Sequence, residues 1–80
     1  MTLEINWDKV DAIRKAKEQT EDELIKSIIN EKTGRPYSVA SYYKTRSGKF
    51  IKPSQDFIAA LSKALGIKPE GITFWSENSV

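Results

Sequence analysis

An all-α fold, a compact domain of five short helices that takes in the whole chain, is what this sequence predicts. Three observations lead there. Apolar residues recur at helical spacing in several separate stretches, as they do when one stripe of each helix faces a core. Helix start signals stand just before those stretches, and Gly or Pro stands just after them. No repeat, linker or low-complexity segment separates these stretches, so they are expected to share one core. The length, 80 residues, allows one domain, because so short a chain buries only roughly two-thirds of its unfolded surface.

The five helices are expected over about 7–17, 21–31, 38–46, 54–65 and 69–75. In the first, Trp7, Val10 and Ile13 form the apolar stripe and Asn6 is placed to cap it. The second begins with Thr20 and Glu23, a capping box in which each side chain satisfies the other residue's backbone N–H. Leu24, Ile25, Ile28 and Ile29 follow, and Thr33-Gly34-Arg35-Pro36 ends the segment. Ser38 is placed to cap the third helix, whose narrow stripe consists of Val39 with Tyr42 or Tyr43. A strand over 37–45 is the weaker alternative, since two adjacent tyrosines do not alternate with polar residues. The fourth helix is the clearest, with Phe57, Ile58, Leu61, Ala64 and Leu65 on one face, between Pro53-Ser54 and Gly66. Pro69 then opens a short fifth helix carrying Ile72, Phe74 and Trp75, a tail too apolar to be left unpacked.

Composition excludes several chemistries. The chain has no Cys and no His, so disulfides, zinc sites of the usual ligands and Cys or His nucleophiles are ruled out. Neither a glycine-rich phosphate loop nor a carboxylate cluster at ligand spacing is present, and the expectation is a non-enzyme without cofactor, metal or small-molecule substrate. The opening residues lack a basic leader and an apolar core of signal-peptide length, and no stretch reaches the roughly 20 apolar residues of a membrane span. A cytoplasmic protein is therefore expected.

Charge is distributed unevenly. Residues 1–33 carry six Lys/Arg against eight Asp/Glu, and residues 53–80 carry two against three. Between them, residues 34–52 hold Arg35, Lys44, Arg46, Lys49 and Lys52 and no acidic residue. A one-signed block in a nearly neutral domain suits the docking of a polyanion, although a solvated loop would look the same in composition.

Gly48-Lys49, Pro53-Ser54, then Phe57, Leu61 and Ala64-Leu65-Gly66-Ile67 resemble the corresponding stretch of lambda-repressor-like helix-turn-helix domains, the fold of phage repressors and Cro-like regulators. Downstream, Lys68-Pro69-Glu70-Gly71-Ile72-Thr73-Phe74-Trp75 resembles the family's last helix. Upstream, Gln19-Thr20-Glu21-Asp22-Glu23-Leu24 resembles the start of its second. The likeness spans roughly residues 7–77 and rests on ordered spacing rather than on a single motif. It implies sequence-specific binding of duplex DNA in transcription regulation, with the third helix in the major groove and the second crossing the backbone.

The residues expected to contact DNA are Arg35, Ser38, Ser41, Tyr42, Lys44 and Arg46, with Lys49 and Lys52 holding phosphates. Plainer roles stand beside these. One of Tyr42 and Tyr43 belongs to the core, Ser38 can act as a cap alone, and a single Lys is more often only solvated. One copy reads too little DNA, so a homodimer on half-sites about 34 Å apart is expected. Ile72, Phe74 and Trp75 would make its contact or else finish the core.

Two departures from the family bear on function. Glu21 stands where the family commonly has a Gln that binds phosphate, and a carboxylate there would be repelled. The connection over 30–37 is also longer than the usual tight turn. These departures lead to an alternative, a modulator or antirepressor that uses the same fold to bind a repressor protein and block its access to DNA. Glu21 and Asp22 would then imitate phosphate, and Tyr42 and Phe50 would act as aromatic anchors. Acidic residues at 21–23 also simply complement a helix dipole.

Overall fold

The structure, a computed structural model, describes residues 2–47 and 54–76, and among these it holds four α-helices and two two-stranded antiparallel sheets. In chain order the elements are β1 (Thr2–Ile5), α1 (Trp7–Ala16), α2 (Glu21–Ser27), β2 (Ile29–Asn30), β3 (Arg35–Pro36), α3 (Val39–Ser47), α4 (Gln55–Leu65) and β4 (Thr73–Ser76), with a 3-10 turn over Pro69–Gly71. The protein is thus a small α/β fold, not the all-α five-helix domain that the sequence predicts. Two segments account for the correction.

The first is the tail. Its expected helix over 69–75 shrinks to the 3-10 turn, after which the chain extends as β4 and pairs with β1, placing Leu3 opposite Trp75 and Ile5 opposite Thr73. β-branched and aromatic residues suit a pleated, half-buried surface, and Thr73-Phe74-Trp75 is such a run. Leu3 and Ile5 alternate with Glu4, and Ile5 enters the core while Leu3 packs against it. The backbone N–H of Asn6 donates to the Ile72 carbonyl at 2.7 Å, which closes the sheet at its inner end.

The second is the connection after α2. The helix stops at Ser27, four residues short of the expected Glu31, and the two following isoleucines leave helical geometry. Ile29 and Asn30 pair with Pro36 and Arg35, and Tyr37 N–H donates to the Ile28 carbonyl at 2.9 Å. The hairpin loop is built from its own side chains. Asn30 Oδ1 accepts from Lys32 N–H, Thr33 Oγ1 accepts from Arg35 N–H, and Gly34 turns the chain at φ 71°. Pro36 has no N–H to donate and is tolerated on so short an edge strand.

The helices themselves follow the local signals. Asn6 caps α1 through Lys9 N–H, and both halves of the Thr20–Glu23 capping box are formed on α2. Ser54 caps α4 through Phe57 N–H, and Gly66 ends that helix in the left-handed conformation at φ 74°. Lys17 Nζ donates to the Leu65 carbonyl at 2.6 Å, so a cation sits on the negative end of α4. At the end of α1 the left-handed residue is Glu18, with φ 55°.

One core joins these pieces: Phe57, Ile58, Leu61 and Leu65 of α4 pack with Val10 of α1, Leu24 and Ile25 of α2, Tyr42 of α3 and Ile72 of the tail. Among the described residues no helix is long and apolar enough to cross a membrane.

Candidate nucleic-acid interface

α3 differs from the other helices in how little it buries. Only Tyr42 and Thr45 are fully inside. Residues four apart share a helix face, so burying Tyr42 carries Arg46 inward with it and leaves Tyr43 outside. The outward face then consists of Val39, Ala40, Tyr43 and Lys44, all exposed, with Val39 at 52% and Tyr43 at 44% of full exposure.

On the inner side lies a clamp of charges and rings. Arg46 donates from Nη1 to Asp11 Oδ1 at 3.0 Å and from Nη2 to Asp11 Oδ2 at 2.5 Å. The same guanidinium lies 5.1 Å from the centre of the Trp7 ring, and its Nη1 donates to the Tyr42 hydroxyl at 3.3 Å and sits 3.6 Å from Glu21 Oε2. Tyr42 in turn donates to Glu21 Oε2 at 3.4 Å and meets Trp7 edge to face. α1, α2 and α3 are thereby tied through one cation. The paired side chains are partly covered, Arg46 being 27% and Asp11 23% exposed, so the interaction is screened less than a fully exposed surface pair.

The protonation equilibria follow from this packing. The hydrogen bond from Arg46 holds the Asp11 carboxyl below its ordinary 3.8, against the opposing effect of burial. The Asp11 hydrogen bond likewise pushes Arg46 up from an already high value. Burial raises the Tyr42 phenol despite the neighbouring guanidinium.

Of the residues expected at the nucleic acid, two are therefore turned inward. Tyr42 is a core residue with no exposed surface, and Arg46 is held in the clamp rather than presented. Ser38 caps α3, accepting from Ser41 N–H at 3.1 Å, and its hydroxyl also donates to Ser41 Oγ at 2.9 Å. Arg35 on β3 and Lys44 on α3 are exposed. Lys49, Lys52 and Phe50 lie outside the described residues, so the expected gathering of all five cations reduces here to Arg35 and Lys44 outside and Arg46 inside.

The alternative site divides in the same way. Glu21 is half-buried against Tyr42 and Arg46, whereas Asp22 is exposed on the first turn of α2. Glu23 is engaged in the capping box, where the Thr20 N–H lowers its pKa. At the tail, Ile72 is fully buried while Phe74 and Trp75 stand out at 46% and 64% exposure. Sequence reasoning had no hold on Asp11, whose partner is 35 positions away. The four-residue spacing of Tyr42 and Arg46 was the one available signal.

No protein-family model matches the chain, and no curated protein and no solved structure matches it either.

Proposed function

We propose that the protein is a DNA-binding transcriptional regulator that lays the outward face of α3 in the major groove of a duplex operator. The observation that carries this reading is the state of α3. It is a helix anchored by one inner face and a half-buried ion pair, with its other face uncovered, inside a stretch of chain that holds five cations and no acid. A helix with a bare face is what groove reading needs, and exposed cations lower the cost of approaching phosphate.

Arg35 and Lys44 supply the described charge for backbone contacts. Glu21, which would repel a phosphate if it pointed outward, is instead occupied with Tyr42 and Arg46. The departure from the helix-turn-helix pattern at this position thus has a structural role. Such a regulator acts in the cytoplasm on a palindromic site, as a homodimer. Phe74 and Trp75, on opposite faces of β4, are exposed apolar side chains, and either offers a contact to the second copy.

Electrophoretic shift and fluorescence anisotropy with duplex DNA, repeated at several salt concentrations, test the proposal. Binding that weakens steeply as salt rises is expected, since each neutralised phosphate releases counterions. Absence of any shift at micromolar protein and low salt would reject it.

A second reading is favoured by the apolar character of the same face. Val39 and Tyr43 are exposed beside Lys44, and Asp22 is exposed on α2, a mixture that also suits a repressor protein as partner. Capture of a co-encoded repressor together with failure to bind DNA would decide for it.

A further inference from the structure

In the major groove each base offers a different chemistry: guanine two acceptors for Arg or Lys, adenine an acceptor and donor for Asn or Gln, cytosine a donor for Asp or Glu, thymine a methyl group. α3, Val39–Ser47, contains no Asn, Gln, Asp or Glu. Its single guanidinium, Arg46, is bonded through both terminal nitrogens to Asp11. The Arg, Asn and Gln side chains that read guanine and adenine with a planar pair of hydrogen-bonding groups are therefore missing from the helix or turned away from its open face.

What that face does offer is apolar. Val39, Ala40 and Tyr43 lie on one side of the helix and in its N-terminal half, the part of a recognition helix that meets base edges. At the helix start the Ser38 hydroxyl donates to Ser41 Oγ and accepts from the Ser41 backbone N–H. Lys44 is the cation that remains on the exposed face of α3, one point charge without the planar fork that makes a paired contact.

We infer that the protein, in the DNA-binding role proposed above on which this inference rests, discriminates its site through thymine methyl groups packed against Val39, Ala40 and Tyr43, and not through guanine edges. The ligand is a duplex half-site whose thymines carry the specificity, with Lys44 and Arg35 contributing attraction to phosphate. An occupant with this chemistry is favoured over an acidic protein surface because the face sets Lys44 beside the apolar groups of Val39, Ala40 and Tyr43, and thymine is the base that displays a methyl in the major groove of a polyanion.

The experiment selects binding duplexes from a random pool with the full chain, then measures the affinity of the best site with each thymine of the contacted strand replaced by deoxyuridine. Uracil pairs as thymine does and lacks only the methyl. Replacement of two contacted thymines within the half-site is expected to weaken binding about tenfold in total, while replacement in the flanks changes little. The V39S variant, altered at an exposed position, should keep its fold by circular dichroism, bind more weakly, and show a smaller difference in affinity between the thymine and uracil duplexes than the natural sequence does.

Equal affinity of the unaltered protein for both duplexes overturns the inference. So does a selected site whose recognition is abolished by 7-deazaguanine and unaffected by uracil. Failure to enrich any duplex at low salt overturns the DNA-binding reading and this inference with it, whereas enriched sites indifferent to thymine methyls remove this inference alone.

Discussion

Arg46 and Asp11 face each other as a two-point ion pair, both terminal nitrogens of the guanidinium donating to both oxygens of the carboxylate across the junction of α1 and α3. Planar groups matched in this way form stronger bonds than a lysine in the same place would. The pair also lies against Trp7 and Tyr42, so the only Arg of the helix works as a fastener for its orientation.

Replacing that Arg should therefore cost stability. R46A leaves Asp11 partly covered without its partner and is expected to lose about 2 kcal/mol, a fall in Tm of roughly 10 °C. K44A, at an exposed position, should change stability by less than about 0.5 kcal/mol while weakening DNA binding. Thermal denaturation of the two variants side by side checks this, and equal melting temperatures would show that the clamp contributes nothing.

Acid should loosen the same junction. A carboxyl whose folded pKa lies below its unfolded one binds fewer protons when folded, so its stabilisation is complete above the unfolded value and is lost as pH falls through the folded one. For Asp11 that loss begins near its ordinary 3.8 and continues below it. Urea titrations between pH 6 and 2, as about four steps, should show a smaller acid-induced loss for D11N than for the natural sequence, although D11N starts lower. Parallel curves for the two proteins would count against the assignment.

Glu18 offers the opposite opportunity. It holds φ 55° at the end of α1, a conformation in which a side chain is disfavoured by about 1–2 kcal/mol. Its carboxylate also lies near the negative end of the helix. E18G is expected to stabilise the protein by about 0.5–1 kcal/mol after the extra freedom of glycine in the unfolded chain is counted. Chemical denaturation at neutral pH measures it, and a loss of stability would mean the turn relies on a contact of the Glu18 side chain.

The tail should separate into two parts with different roles. I72A removes a fully buried side chain and should cost about 3 kcal/mol, as large-to-small core changes do. W75A, at a largely exposed position, should leave the monomer's folding nearly intact and shift sedimentation or light scattering toward the monomer. A W75A protein that melts as early as I72A would place Trp75 in the core instead.

Much of this molecule could be read from neighbours in the chain. The Thr20–Glu23 box, the Ser54 cap, the Gly66 stop and the apolar face of α4 are made by groups within a few positions of each other, and all are present where the residue types put them. The choice between Tyr42 and Tyr43 was open, because an isolated helix with so narrow a stripe has no preferred side. Once Tyr42 is inside, the four-residue repeat takes Arg46 along and exposes Val39 and Tyr43.

Of the five helices that the amino-acid order predicts, four form with their starts and most of their stops in place, because capping and helical hydrogen bonds close over three or four residues. Only the tertiary structure decided that the two ends of the chain pair as strands, that the segment after α2 forms a hairpin, and that Arg46 turns toward Asp11. A four-residue strand has no stability until its partner arrives from the far end of the chain, and a guanidinium chooses between water and a carboxylate only when folding brings that carboxylate beside it.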